Sequence, residues 1–225
     1  RENGLAKAAK KAGRIAAEGL VRVSFDDEHK EAAIIEVNSE TDFVAKNDEF
    51  VGFVEKLADI ALVAGSDDME AFKALPYEGK ETVGDALNSL IAKIGENMNI
   101  RRTYKLATPG VVYTGYIHGN GKIGVIVGIK TEASADEIAV CAKDVAMQVA
   151  SMSPKFVDES QVDPAWLESE TEIARQQLLN EGKKEELLER IIPGKIKAIL
   201  KEVCLVDQKF VKDSDITVAQ YVENV

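Results

Sequence analysis

A unit of two strands and a helix is written twice into this sequence of 225 residues. Residues 20–25 and 32–38 are rich in β-branched residues, and Asp26-Asp27-Glu28-His29-Lys30 between them favours a hairpin turn. Ala33, Ile35 and Val37 alternate with more polar positions, and from Phe50 the period becomes helical, with Phe53, Val54, Leu57, Ile60 and Ala61 on one face until Gly65. The same order returns after Pro109-Gly110. Residues 111–117 predict a strand, His118-Gly119-Asn120-Gly121 a tight turn, and 122–130 a strand in which Ile123, Val125, Val127 and Ile129 alternate. Residues 134–152 predict a helix with Ile138, Cys141, Val145 and Val149 on its buried face. A small sheet must bury its apolar face against another layer, so the pattern predicts an α+β fold: two related subdomains, each a small antiparallel sheet covered by helices.

The remaining segments complete that plan. Residues 5–19 are alanine-rich and predict a short helix or linker. Residues 66–84, with Pro76 and Gly79, predict a loose surface path. Leu87, Leu90, Ile91 and Ile94 mark a second helix over 85–94 that Gly95 stops, ahead of a strand through Tyr104 and Leu106. Asp163-Pro164 is a helix start, followed by helices over 166–179 and 184–203 with Asn180-Glu181-Gly182-Lys183 as the turn. Leu167, Ile173, Ala174 and Leu178 are expected to face Leu187, Ile191, Ile196 and Ile199 across that helical hairpin, and Pro193 to kink its second helix. Residues 203–210 predict a returning strand before a terminal helix through Thr217 and Tyr221. The expected division is a linker over 1–19, a first α+β subdomain over 20–108, a second over 109–157 and 204–225, and an inserted helical hairpin over 158–203.

Composition narrows the chemistry. A net charge of −11 argues against a broad nucleic-acid surface, because phosphate binding runs on Lys and Arg. The cluster Lys7, Lys10, Lys11 and Arg14 reads as a solvated helix face. Two cysteines without a Cys-x-x-Cys pair, and His29 and His118 without ligand spacing, predict no metal. No glycine-rich phosphate loop or nucleophile elbow is present, so the chain is expected to bind no nucleotide or cofactor of its own and to be no enzyme. No apolar run reaches the roughly 18 residues of a membrane span. The start at Arg1 inside a helical pattern, and the end without a closing signal, read as cuts through a longer protein.

The strand-to-helix corner of the first unit, Glu36-Val-Asn-Ser-Glu-Thr-Asp-Phe-Val-Ala-Lys-Asn47, holds the candidate site. Ser39 or Thr41 can cap the coming helix, and Asp42 suits the positive end of its dipole. Phe43 has two readings: a hydrophobic staple that closes the corner, or an aromatic presented to a partner. The second unit has Thr131-Glu132-Ala133-Ser134 at the equivalent corner and no bulky residue near Ala133, which favours the second reading.

That corner resembles the signature of elongation factor Ts, the nucleotide-exchange partner of elongation factor Tu, and Ala92-Lys-Ile-Gly-Glu-Asn-Met-Asn-Ile-Arg-Arg102 and Ala8-Ala-Lys-Lys-Ala-Gly-Arg14 are similar to further stretches of the family. The resemblance covers essentially the whole chain, with the family's small N-terminal helical domain absent. It implies that Thr41, Asp42, Phe43 and Val44 enter the nucleotide domain of elongation factor Tu and disturb its Mg²⁺ site. Ile94, Gly95 and His118 would make supporting contacts. It also implies guanine-nucleotide exchange during translation elongation, in the cytoplasm or, as some relatives work, in mitochondria or plastids. A passive scaffold that binds the same partner without moving nucleotide is the alternative. In the family the helical hairpin carries a dimer contact in some members. Proline is not the usual residue at Pro193, and dimerisation is not carried over.

Overall fold

The computed structural model describes residues 2–225 and divides into two compact units, the first closing at Ala150 and the second covering Ser151–Val225. In chain order the first contains α1 (Glu2–Lys11), β1 (Glu18–Phe25), β2 (Ala32–Ser39), a one-turn helix α2 (Asp42–Ala45), α3 (Asp48–Ala64), α4 (Met69–Lys73), α5 (Val83–Ile94), β3 (Met98–Leu106), β4 (Val111–His118), β5 (Ile123–Lys130) and all but the last two residues of α6 (Ala135–Met152). The expected mixture of helices with small antiparallel sheets is what forms.

β2 is the middle strand of a sheet ordered β1-β2-β3, antiparallel to both neighbours. Its alternation has the predicted outcome: Ala33, Ile35 and Val37 are fully buried. Against them α3 lays Phe50, Phe53, Val54, Leu57 and Ala61, and α5 adds Val83, Leu87, Leu90 and Ile91 to the same continuous core. Each of the larger side chains among them, withdrawn from water, stabilises the unit by about 1.5–3 kcal/mol before chain entropy is charged against it. The β4–β5 hairpin lies against β1, where the Val21 amide donates to the Gly121 carbonyl (2.7 Å) and the Tyr113 amide to the His29 carbonyl (2.8 Å).

Residues 74–82, with Pro76 and Gly79, keep to the surface as expected, but the start of the 66–84 segment is ordered as α4. Asp68 caps α4 through the amides of Glu70 and Ala71, and Phe72 on that helix is fully buried. Five residues are too few to show a helical period, so the sequence reads as loop where one aromatic pins the segment.

In the second unit a 3-10 turn (Glu159–Gln161) leads to α7 (Pro164–Asn180) and α8 (Glu185–Val203). A second 3-10 turn (Leu205–Asp207), β6 (Lys209–Phe210), β7 (Asp213–Thr217) and α9 (Val218–Glu223) follow. Asp163 caps α7 through the Ala165 amide (3.0 Å) with Pro164 in the first turn, as predicted. The facing residues follow the prediction in part: Leu178 is in the hairpin core, Ile191 and Ile196 pack against it and Ala174 is buried, but the core members on α8 are Leu188 and Ile192, while Ile173 and Leu187 are 48% and 44% exposed. Leu187-Leu188 and Ile191-Ile192 are paired in sequence, so hydropathy alone leaves the face of α8 undecided between neighbours 100° apart. α8 is a single element across the exposed Pro193. The strand expected over 203–210 is reduced to Lys209–Phe210, because α8 extends to Val203 and a 3-10 turn follows.

Gly19 tests the tightness of the first sheet. It has φ +134°, and a β-carbon there would lie 2.1 Å from the Val37 carbonyl oxygen. Gly19→Ala is expected to cost about 2 kcal/mol or more. Gly52→Ala, in α3 with nothing within 4 Å of the added carbon, is expected to gain about 0.5–1 kcal/mol. Urea unfolding of the two variants beside the parent checks both signs.

Candidate functional site

Antiparallel pairing decides where the site is. Ser39 at the end of β2 lies opposite Met98 at the start of β3, so the β2–α2 corner and the α5–β3 corner meet at one end of the sheet. The structure therefore brings Thr41, Asp42, Phe43 and Val44 into the neighbourhood of Ile94 and Gly95, which sequence distance conceals.

The β2–α2 corner is held at every polar group of Thr41. Its carbonyl accepts from the hydroxyl of the fully buried Ser39 (3.0 Å), and its hydroxyl accepts from the Val44 amide (3.4 Å). Its amide donates to Glu96 Oε2 (3.0 Å) and its hydroxyl to Glu96 Oε1 (2.6 Å), a two-point grip by one carboxylate. The opposite corner is held the same way in return: Glu40 Oε1 accepts from the Asn97 amide (2.6 Å) and lies 3.5 Å from the Arg14 guanidinium. Asn97 Nδ2 donates to the Arg14 carbonyl (2.7 Å). Charge-assisted hydrogen bonds of this kind contribute about 1.5–3 kcal/mol each when sheltered from water, and less here, where the groups are part-buried. Gly95 completes the α5 corner in the left-handed region (φ 89°), its amide donating to the Ile91 carbonyl.

Thr41 caps α2, and the longer α3 has its own cap: Asn47 Oδ1 accepts from the amides of Glu49 (2.9 Å) and Phe50 (3.2 Å). The single cap expected for one helix is thus two caps for two helices. On the one turn between them, Val44 is buried in the core and Phe43 points away. Phe43 is 79% exposed, which removes the hydrophobic staple reading. Asp42 is also exposed, 3.9 Å from Lys46 in a loose i,i+4 pair. His118 ends β4 on a different element, exposed, with Nδ1 2.8 Å from the Tyr116 hydroxyl.

This end of the sheet has the makings of a docking surface, with a large apolar ring and a carboxylate standing on a braced turn. Among the described residues no three His, Cys, Asp or Glu side chains gather as a metal ion requires, and no helix is long and apolar enough to cross a membrane. Glu40 and Glu96 went unnoticed in the sequence. Each adjoins a candidate segment, but their roles depend on partners more than 50 residues away.

The family of this chain is settled by comparison. Residues 40–225 match the profile of the family described as Elongation factor TS. The chain belongs to the elongation factor Ts family. Elongation factor Ts of Clostridioides difficile (strain 630) is 49% identical over 225 residues, which are all of this chain and 74% of that protein. The protein of the same name from Clostridium novyi (strain NT) is 49% identical over 99% of this chain and 74% of its own length. That of Clostridium perfringens (strain 13 / Type A) is 47% identical over 99% and 74%. As a member of this family the chain is a translation elongation factor, and the elongation factor Ts match includes both candidate corners from Glu40 onward.

The two cysteines play no visible part in such a surface. Burial pushes the Cys141 thiol up, with Asp144 adding to it, and burial likewise raises Cys204, with Asp207, Glu159 and Asp158 adding. Neither thiol is expected to react with Ellman's reagent at pH 8 in the native protein, and both should react once urea unfolds the chain. Fast labelling without denaturant would show the packing around them to be wrong.

Proposed function

We propose that this chain is a guanine-nucleotide exchange factor that binds elongation factor Tu in the cytoplasm and promotes release of GDP. The observation that carries the reading is Phe43, 79% exposed on a turn tied at both ends. Full burial of a phenylalanine is worth about 1.5–3 kcal/mol, and this fold forgoes most of it at a position from which the ring can enter another protein.

An exchange factor of this kind breaks no covalent bond and needs no catalytic residue. It binds the nucleotide-free state of its partner more tightly than the nucleotide-bound state, and by linkage lowers nucleotide affinity by that same ratio. The efficient target is the partner's Mg²⁺ and phosphate-binding amides, because a bound divalent ion is the largest charge near the nucleotide. Phe43 is suited to parting packed elements: it has two side-chain torsions and a large area. Asp42, exposed beside it, would alter the local electrostatics. Val44 and Thr41 act from below, Val44 as the buried foot of the turn and Thr41 as its polar anchor. Ile94 and Gly95 contact the same domain by shape from the adjoining corner, and His118 meets a separate part of the partner. The family resemblance supplies these assignments, and the joint placement of the two corners supports them.

Phe43→Ala is expected to slow GDP release from elongation factor Tu by roughly 30-fold or more at fixed concentration of this chain, the size of a lost aromatic anchor. Stability should stay within about 0.5 kcal/mol of the parent, since the ring is mostly in water already. Stopped-flow release of a fluorescent GDP analogue measures the first and urea unfolding the second. An unchanged release rate removes the wedge. Binding of the parent chain without any acceleration of release would make it a passive scaffold instead.

A further inference from the structure

The two corners that the proposed function uses are joined by carboxylates given in both directions. Glu40, one residue before Thr41, accepts from the Asn97 amide, and Glu96, one residue after Gly95, accepts from both the amide and the hydroxyl of Thr41. Neither glutamate is spent on the corner it belongs to. Each satisfies a backbone donor of the other, across 55 and 57 residues of sequence. Local capping would have sufficed to end β2 and to start β3. A crossed arrangement does something local capping cannot: it makes the position of one corner depend on the other.

We propose that Glu96 is a positioning residue for exchange, latching the Phe43 turn to the Ile94-Gly95 corner, with Glu40 as the return arm of the latch. The inference rests on the reading of Phe43 as the wedge and adds what keeps the wedge aimed. Thr41 is the cap of the four-residue α2 on which Phe43 stands, and the helix has no further turn to hold its direction. Without Glu96, the Thr41 amide and hydroxyl lose their protein acceptor and turn to water. The cap's own bond to the Val44 amide is long, at 3.4 Å. The turn can then swing about Val44, and the ring samples directions that miss the partner. Glu96 touches neither nucleotide nor Mg²⁺ in this account. It acts only through Phe43.

That dependence gives the test. GDP release from elongation factor Tu is measured with the parent, Glu96→Ala, Phe43→Ala and the double variant, with Glu96→Gln and Glu40→Ala as graded versions of the latch. Glu96→Ala is expected to slow release roughly tenfold, and Glu96→Gln by less, because its one amide oxygen still accepts from Thr41. In the Phe43→Ala background the further loss on removing Glu96 should fall to within about twofold, since an unaimed ring and an absent ring are equivalent. Thermal unfolding sets aside general damage, and if Glu96→Ala proves unfolded, Glu40→Ala carries the same cycle. A Glu96→Ala rate equal to the parent's, or losses that multiply in the double variant, overturns the latch while leaving the wedge intact. A Phe43→Ala variant with the parent's rate overturns the wedge and the latch with it.

Discussion

The antiparallel placement of β2 between β1 and β3 is the constraint from which the candidate site follows. Antiparallel neighbours bring the exit of one strand beside the entry of the other, and the register Ser39 opposite Met98 makes that meeting close. α2 hangs from the exit, and α5 delivers its last residues to the entry. A register slip of one residue would turn Ala33, Ile35 and Val37 out of the core, so the packing of α3 on the sheet holds the two corners together as firmly as it holds the fold. The exchanged carboxylates refine a proximity that the sheet has already imposed.

The two strand-to-helix corners of the first unit show how one structural task can be met locally or at a distance. At the start of α6, Ser134 and Glu137 satisfy each other: the Ser134 amide (2.7 Å) and hydroxyl (2.9 Å) donate to Glu137 Oε2, and the Glu137 amide donates back to the Ser134 hydroxyl (3.4 Å). The Ser134 amide, and then its hydroxyl, hold the Glu137 carboxyl below the usual carboxylate range. That corner is closed within four residues and presents no aromatic. At Thr41 the matching carboxylate comes from Glu96, and the turn so held presents Phe43. The corner that uses a distant partner is the one that exposes a large apolar ring, which is the expected association if its orientation matters.

What could be read in the sequence was whatever repeats over a helix or a strand. The two hairpins and α3 declare themselves through their period, and the start of α7 through the capping pair Asp163-Pro164. Features shorter than a period, or set by tertiary pairing, were not readable. α2 and α4 are four and five residues long, and the α7–α8 register turned on a choice between adjacent leucines and adjacent isoleucines. Phe43 is the instructive intermediate. Its identity stood out against Ala133 at the equivalent corner of the second sequence repeat, but its direction depended on Val44 taking the core position, which an apolar pair Phe-Val does not decide. The carboxylates of Glu40 and Glu96 were invisible among 39 acidic residues until β2 and β3 were paired.

A wedge can do no more work on its partner than its own mounting withstands. Allosteric coupling between two ligands is typically about 1–3 kcal/mol, and under the proposed function the reaction to it falls on the turn that carries the ring. If that turn yielded for less, the partner would displace Phe43 instead of losing its nucleotide, and binding would proceed without exchange. The α2 turn is braced by Val44 in the core, by Asn47 at its far end, and at its near end by the grip of Glu96 on Thr41. Part-buried charge-assisted bonds worth on the order of 1 kcal/mol each, together with one buried valine, amount to a few kcal/mol. That is the same scale as the work required. Under the proposed function, rigid mounting and exposed ring are therefore one property, the one that would separate an exchange factor from a scaffold built on the same surface.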